Sequence, residues 1–211
     1  PEVQFRKLIF DSRGGYCFEL NGLFLAAIRK AGFDARPLLG RVHVTGEVTG
    51  RGHQISLITI DNEPWIADVG FGADTPRCPF PLKINAPITS GAQTIQIIES
   101  KEYGFIVQAF KSETWIDLYS FDLGHVCRGD IEYGNYYTAT SPNSFFTGAR
   151  IAVLPTATGY WSLFNNTFTC VEDGKEERAI VEAGDQYMEL LEKIFGIKLN
   201  TSFDAFREVA N

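Results

Sequence analysis

The sequence has 211 residues, of which 45% are hydrophobic and 21% charged, and these proportions argue against a disordered chain or a coiled coil. A net charge of -7 and scattered cations argue against nucleic acid or an acidic membrane surface as a partner. No apolar run approaches the length that spans a bilayer, so we expect a soluble protein. The wide spacing of the four cysteines fits reduced cytoplasmic thiols better than a disulfide framework or a zinc site.

The first strong helical pattern follows Gly14 and Gly15. Apolar residues recur at helical spacing from Cys17 to Ala31, and Gly32 is a C-terminal stop. The pattern predicts a helix with Cys17 in its first turn. Residues 5–10, before the glycines, fit a helix or a strand equally well.

The middle of the chain alternates short strand-like segments with turn residues, which favours an antiparallel barrel or sandwich. These segments are Pro37 to Val44, Gln54 to Ile60, Trp65 to Val69, Thr94 to Glu99, Phe105 to Lys111 and Thr114 to Phe121. Residues 72–92 are proline-rich and are expected to form one long irregular loop.

The last third combines strands with a terminal helix. Ser141-Pro142 resembles a helix N-cap followed by proline at the first helical position. Strand-like segments return at 150–154, 160–164, 167–171 and 178–181. A helical stripe then ends at Gly196, and its apolar members are Tyr187, Leu190, Leu191, Ile194 and Phe195.

Cys17 is the first candidate for chemistry. A thiol at a helix N-terminus faces unpaired N–H groups, whose partial positive charge favours the thiolate. Gly14 and Gly15 allow a close approach of backbone or ligand. A lone cysteine is more often a small buried apolar residue, and only the surrounding Arg-Gly-Gly-Tyr-Cys-Phe-Glu favours a nucleophile here.

His53 and Asp68 are the second candidate. His53 opens one predicted strand and Asp68 closes the next, with a turn within residues 61–64. An even-numbered hairpin loop gives paired residues whose numbers add to an odd value, and 53 and 68 do so. The two side chains are therefore predicted on one face of the sheet, where an imidazole and a carboxylate form the pair that nucleophilic catalysis requires.

The remaining candidates carry weaker signals. His43 and His125 have no acidic residue at an obvious partnering distance and are interpreted as structural. Gly70-Phe71-Gly72 is glycine-rich, but it lacks the third glycine and the helix of a dinucleotide fingerprint, so alone it indicates a strand exit.

Taken together, these residues resemble the arylamine N-acetyltransferase family. The resemblance rests on the stretch from Arg13 to Asn21, on Gly52-His53, and on Trp65 to Gly72 with its Asp-Val-Gly-Phe-Gly ending. The order Cys, His, Asp and its spacings of 36 and 15 residues are similar to the family pattern. Weaker similarity continues through Ser141-Pro142 and around Gly196, so it covers essentially the whole chain.

The resemblance implies ping-pong acetyl transfer from acetyl-CoA, through a thioester on Cys17, to arylamines, arylhydroxylamines or hydrazines. His53 would manage the thiol proton and Asp68 would orient the imidazole. No metal is implied. The expected partners are coenzyme A and a small amine, without nucleic acid or membrane, and the chain would act as a monomer or homodimer in xenobiotic metabolism.

By the same similarity, three sets of residues support the triad. Gly70, Phe71 and Gly72 would line the substrate cleft, and Thr49 and Gly50 resemble a coenzyme A contact. Arg13 and Glu19 of the nucleophile motif would give structural support. The family pairs the motif arginine with an acidic residue in an upstream helical segment.

The implied fold class is α+β: a papain-like cysteine-triad architecture with a helical part, an antiparallel β-barrel and an α/β lid. We assign residues 1–32 to the helical part, which would lack most of the family's N-terminal helical segment. Residues 33–138 form the predicted barrel, and 139–211 a linker helix and the lid with its C-terminal helix.

Three other functions fit the same residues. An amide synthase of this fold would pass a polyketide chain from a carrier protein to an aromatic amine. A thioesterase or peptidase would release free acid from the acyl-enzyme without any amine. A fragment that binds coenzyme A without turnover would show slow or absent labelling of Cys17.

Overall fold

The structure, a computed structural model, describes residues 2–44 and 46–209. The chain begins with helix α1 (Glu2–Phe5), which continues as a π-helical turn (Arg6–Phe10), so residues 5–10 are helical. The other helices are α2 (Cys17–Lys30), α3 (Arg128–Thr140), α4 (Phe145–Gly148) and α5 (Asp185–Phe195). No helix in this part of the chain is long and apolar enough to cross a membrane.

The strands form two antiparallel sheets. The first contains β1 (Asp34–Val42), β2 (His53–Ile60), β3 (Glu63–Ala67), β4 (Phe80–Pro81), β5 (Ile88–Ser90), β6 (Gln93–Ser100), β7 (Gly104–Lys111) and β8 (Thr114–Phe121). The second contains β9 (Ile151–Pro155), β10 (Gly159–Phe164), β11 (Thr167–Glu172) and β12 (Lys175–Ile180). All the strand segments predicted from the sequence are present, although β12 begins three residues before the predicted 178.

The first sheet is a nearly closed barrel with the strand order β4-β3-β2-β1-β8-β7-β6-β5. The segment between its edge strands β4 and β5 bonds to β3 at one end of the sheet and to β6 at the other. The Leu82 N–H donates to the Pro64 carbonyl at 2.8 Å, and the Asn85 N–H donates to the Ile97 carbonyl at 2.8 Å. The prediction of one irregular loop over residues 72–92 was therefore wrong, because these residues supply both edge strands and a 3₁₀ turn (Gly72–Asp74).

Alternate residues of the barrel strands point inward and form the main core. Its members are almost fully buried: Leu38, Ile55, Ile66, Phe80, Ile95, Ile97, Val107, Ala109, Leu118, Tyr119 and Phe121. Helix α2 packs against β1 and β2 and buries Cys17, Phe18, Asn21 and Leu25. The predicted helix and its apolar face are confirmed.

A tight turn joins β2 to β3. Its two residues, Asp61 and Asn62, have positive φ of 51° and 64°, as a two-residue type I′ hairpin requires. The resulting register pairs Ser56 with Ala67. Continued past the end of β3, this register leaves position 68 two residues from the position opposite His53, so both side chains lie on one face of the sheet, as predicted.

The second sheet packs on α5 within residues 139–211, the segment that was predicted to form the lid and is called the lid below. Leu163, Val181, Tyr187 and Leu191 make its small core. Gly196 ends α5 with φ 67° in the left-handed region, so the predicted terminal helix and its stop are both confirmed.

Helix α3 was not predicted from the sequence. It ends at Ser141, which is its C-cap, so the expectation that Ser141 begins a helix was wrong. The short α4 follows Ser144 instead. The predicted boundary between barrel and lid, at residue 138, falls inside α3. The division into these parts remains a prediction.

Candidate active site

Cys17 is the first residue of α2, and its side chain is buried against the barrel. Tyr16 is the N-cap, and its N–H donates to the Glu19 carboxylate at 3.4 Å, which fixes the first helical turn. The Cys17 thiol faces the carbonyl oxygen of Gly52 at 3.6 Å, next to His53 in the chain. The helix therefore presents its nucleophilic residue to the start of β2.

His53 and Asp68 form a buried pair. The His53 Nε2 lies 2.7 Å from Asp68 Oδ2, and the two side chains are 3% and 0% exposed. Because Nε2 faces the carboxylate, Nδ1 is the ring nitrogen left for the Cys17 thiol, which is close enough to contribute to the raised pKa of His53. The three sequence-predicted catalytic residues are thus brought together.

Opposing effects set the protonation of this pair. Burial lowers the pKa of His53, but the charge and hydrogen bond of Asp68 and the Cys17 contact outweigh it and raise that pKa well above its ordinary value. Burial raises the pKa of Asp68, whereas His53 and the hydrogen bonds from Asn21 and Gly70 lower it below its ordinary value. The arrangement favours an imidazolium held by a carboxylate.

Asn21 is a site residue that the sequence reasoning missed. It is fully buried one turn after Cys17, its Nδ2 donates to Asp68 Oδ1 at 2.9 Å, and its Oδ1 accepts the Val69 N–H at 3.0 Å. The spacing of four residues from the nucleophile was the available signal, because it places Asn21 on the same helix face. Asn21 thereby links the nucleophile helix to the carboxylate.

Gly70 allows the chain after β3 to contact α2. A Cβ atom at this position would lie 2.9 Å from the Cys17 Cα and 3.0 Å from Asn21 Nδ2, so no side chain fits without displacing the helix. The Gly70 N–H donates to Asp68 Oδ1 at 2.9 Å. Gly70 therefore lies in the site, although its neighbour Gly72 has only open space around it.

Aromatic rings surround the imidazole. The centroid of Phe71 is 4.8 Å from that of His53, and Tyr119 on β8 lies 4.9 Å from the same ring. Burial and then the charge of Asp68 raise the pKa of Tyr119 well above 10, while its hydroxyl makes no hydrogen bond of ordinary geometry among the described residues. Tyr119 was not identified from the sequence, because only the barrel fold brings β8 beside His53.

Thr49 and Gly50 lie on the exposed loop that precedes β2. The Thr49 hydroxyl accepts the Val42 N–H at 2.9 Å, and the Gly50 carbonyl accepts the Gly52 N–H at 2.8 Å. Through Gly52 this loop reaches the thiol, so it borders the site at the surface. Its two predicted ligand contacts remain a prediction.

Glu19 and Arg13 occupy different surroundings. Glu19 accepts both a capping hydrogen bond and an ion pair, because Lys7 Nζ lies 2.6 Å from one carboxylate oxygen and 2.8 Å from the other. Arg13 is exposed and makes no ion pair within residues 2–44 and 46–209. Glu19 therefore supports the first turn of α2 through these contacts. Arg13 makes no comparable side-chain contact in the part of the chain that the structure describes.

The other histidines lie elsewhere. His43 follows the end of β1, and its Nε2 lies 2.9 Å from the Ser120 hydroxyl, while burial lowers its pKa against the opposing charge of Asp117. His125 is exposed before α3. No group of three or more His, Cys, Asp and Glu side chains in the described residues is placed to hold a metal ion.

A thiol at a helix N-terminus beside a hydrogen-bonded imidazole–carboxylate pair, on an α+β scaffold, supplies the groups of enzymes that work through a covalent intermediate. Comparisons of the chain with protein families and with known proteins point to the same kind of enzyme. Residues 1–203 match the family model described as N-acetyltransferase. The chain is 36% identical, over 96% of its length and 73% of the relative's, to the arylamine N-acetyltransferase / N-hydroxyarylamine O-acetyltransferase of Salmonella typhimurium.

Solved structures show the same fold. An arylamine N-acetyltransferase from Salmonella typhimurium superimposes with a TM-score of 0.86 at 34% identity, covering 94% of this chain and 74% of that one. The Mycobacterium marinum enzyme in complex with CoA gives 0.86 at 26% identity, with coverage of 93% and 74%. The chain belongs to the N-acetyltransferase family and is an acyltransferase.

Proposed function

We propose that this chain is an arylamine N-acetyltransferase that carries the acetyl group on Cys17. The observation that supports this most directly is the buried His53–Asp68 pair, 2.7 Å apart, beside a thiol at the N-terminus of α2. Relatives named arylamine N-acetyltransferase, and one of them in complex with CoA, support acetyl-CoA as donor and an arylamine as acceptor.

The reaction has two half-reactions. His53 takes the thiol proton, the Cys17 sulfur attacks the acetyl carbonyl carbon, and the bond to the coenzyme A sulfur breaks while His53 returns the proton to that leaving group. The amine nitrogen then attacks the carbonyl carbon of the Cys17 thioester and gives a proton to His53. The bond from that carbon to the Cys17 sulfur breaks, and His53 passes the proton to the sulfur, which restores the thiol. Asp68 holds the imidazole in orientation and stabilises its cation throughout.

The neighbouring residues take supporting roles in this proposal. Gly70, Phe71 and Gly72 line the cleft, where Phe71 packs edge-on against the reacting imidazole. Thr49 and Gly50 contact coenzyme A at the mouth of the site. The Glu19 cap, held by Lys7, keeps the first turn of α2 in place.

Transfer of the acetyl group to an oxygen atom is a second candidate reaction. One relative is named N-hydroxyarylamine O-acetyltransferase as well as N-acetyltransferase. The same thioester can acetylate a hydroxylamine oxygen or a hydrazine nitrogen. We further propose that the protein acts in the cytoplasm on xenobiotic amines, as a monomer or homodimer and without a metal, nucleic acid or membrane.

Intact-mass spectrometry tests the proposal. The protein is mixed with acetyl-CoA alone and then with aniline added. We expect the gain of one acetyl group, located on Cys17 by peptide mapping, that is discharged when aniline is present. An adduct that hydrolyses at the same rate without aniline would instead identify a hydrolase.

The chain offers a matched control for the nucleophile. Cys127 is likewise a thiol at the start of a helix, α3, but it is exposed and lies away from the buried His53–Asp68 pair. Cys17→Ser should abolish the adduct, whereas Cys127→Ser should leave it unchanged. Acetylation of the Cys17→Ser variant at the wild-type rate would remove the assignment.

A further inference from the structure

A second candidate site lies on the lid, away from the catalytic triad. A cavity of about 400 Å³ opens between the start of β9, the β10–β11 turn and α5. Its walls are apolar where Phe164, Val181 and Phe203 line them and polar where Asn165, Asn166 and Thr167 do. Arg150 supplies a positive charge among the lining residues that the structure describes.

Arg150 is held in place by backbone contacts and aromatic rings. The backbone N–H of Arg150 donates to the Asn165 side-chain oxygen at 3.0 Å, and the backbone carbonyl of Arg150 accepts the backbone N–H of Asn165 at 2.8 Å. The guanidinium carbon lies 5.4 Å from the ring centroid of Tyr187, 4.9 Å from that of Phe203 and 5.9 Å from that of Phe206. The rings hold the cation by contact with its π-bonded plane and take none of its N–H hydrogen bonds.

Within residues 2–44 and 46–209, the charge of Arg150 has no counter-ion. Its side chain makes neither an ion pair nor a hydrogen bond there, and its Nε is buried without an acceptor. The other lining side chains are neutral, although the chain as a whole carries a net charge of -7. A buried donor of a charged group normally has an acceptor, and a guanidinium matches a carboxylate with two parallel hydrogen bonds.

We propose that this cavity binds a small monocarboxylate with a flat apolar body, its carboxylate on Arg150 and its body against Phe164 and Val181. The single cation suits one negative charge, and the apolar walls favour a carboxylate over a free phosphate. The Asn165 and Asn166 amides offer further donors to the carboxylate. This site is independent of the proposed acetyl transfer, since it shares no residue with the triad.

Titration with sodium benzoate tests the site, with benzamide as the neutral probe of the same shape. Calorimetry gives the affinity, and ¹H–¹⁵N spectra follow the side-chain amides of Asn165 and Asn166. We expect saturable benzoate binding that shifts both amides. Benzamide lacks the charge, so its affinity should be lower than that of benzoate by roughly tenfold or more. Equal affinity for the two probes, or shifts confined to residues around Cys17, would overturn the proposal.

Variants locate the charge that is responsible. Arg150→Met should weaken benzoate binding by roughly tenfold or more. The control is Arg128→Met, because Arg128 is 91% exposed on α3 and pairs only with Glu132 in the described structure. Unchanged affinity of a folded Arg150→Met protein would exclude the site. If circular dichroism shows that this variant is unfolded, the benzoate–benzamide comparison on the wild type decides the question alone.

Discussion

The barrel and the lid are both antiparallel sheets, but they bury their strands very differently. In the barrel, β2 is buried over most of its length, and Leu38, Ile55 and Leu118 are 0% exposed. In the lid, β12 is exposed at every position and only a few side chains of β9–β11 and α5 are buried. The nearly closed sheet carries His53 on β2 and positions Asp68 directly after β3, whereas the lid holds no catalytic candidate.

This difference follows from closure. A barrel side chain that points inward meets others from all directions, whereas a four-stranded sheet packs one face on a single helix. His53 and Asp68 therefore sit where neighbours fix both rotamer and protonation. The lid contributes no residue to their 2.7 Å contact. Four predictions challenge or refine this contrast.

The largest effect is expected for the barrel carboxylate. Asp68→Asn cannot stabilise the imidazolium or select the same tautomer, so arylamine acetylation should fall by several orders of magnitude. The matched control is Asp117→Asn, because Asp117 is a half-buried barrel carboxylate that accepts a hydrogen bond from Gln108 at 2.7 Å. Steady-state rates with circular dichroism spectra test this. A loss below about tenfold would mean that Asp68 does not orient His53.

Equal truncations in the two cores compare their packing directly. Leu118→Ala in the barrel should cost about 3–5 kcal/mol of unfolding free energy, and Leu191→Ala in the lid about 2–3 kcal/mol, because the lid site can relax toward solvent. Urea denaturation measures both values. If the lid variant proves as costly as the barrel variant, the contrast in packing fails.

Arg77 tests the junction between the two regions. Its Nε donates to the Thr156 carbonyl at 3.0 Å and its Nη2 to the Gly159 carbonyl at 2.7 Å. The barrel loop that carries Arg77 is thereby hydrogen-bonded to the β9–β10 turn. Arg77→Lys loses the planar fork. We expect KM for the amine to rise severalfold with kcat nearly unchanged. The control Arg178→Lys on exposed β12 should change neither KM nor kcat. A fall in kcat alone would show that Arg77 acts on the chemistry instead.

The smallest effect is the pH dependence of stability. The folded-state pKa of His53 lies above its ordinary value of 6.5, so its contribution is complete below pH 6.5 and is lost as pH rises toward the folded pKa. The pKa of Asp68 lies below its ordinary value of 3.8, so its contribution is present above pH 3.8 and is lost in more acid solution. The unfolding free energy should fall by at most about 1.4 kcal/mol per pH unit above 6.5.

Urea denaturation at pH 5, 7 and 9 measures this slope. Asp68→Asn removes the main reason for the raised pKa of His53, so this variant should lose most of the decline. A wild-type stability that is flat from pH 5 to 9 would contradict the charge-paired description of the site.

Local patterns predicted the parts of the site that depend on neighbours in sequence. The position of Cys17 follows from the helical repeat of α2, and the shared face of His53 and Asp68 follows from hairpin parity. Asn21 was within reach of the same reasoning. Tyr119 and Arg77 were not, because residues distant in the chain create their contacts.

The failures in the fold have the same origin. Helix α3 contains Gly, Thr and several Tyr residues, which are weak helix formers, so its sequence gave little signal. Contacts across the fold support it instead: Gly134 packs against Phe18, and the Tyr16 hydroxyl donates to Asn135. The edge strands within residues 72–92 likewise exist only because they pair with the remaining barrel.

The two-residue turn at Asp61 and Asn62 has a consequence for how the gene can change. Both residues are exposed and have positive φ, so exchanges among Gly, Asn and Asp should be well tolerated there, whereas β-branched residues would strain the turn. A one-codon insertion or deletion is different, because it reverses the parity of the hairpin and sends either His53 or Asp68 to the opposite face. The length of this surface turn is therefore a genetic requirement of the chemistry.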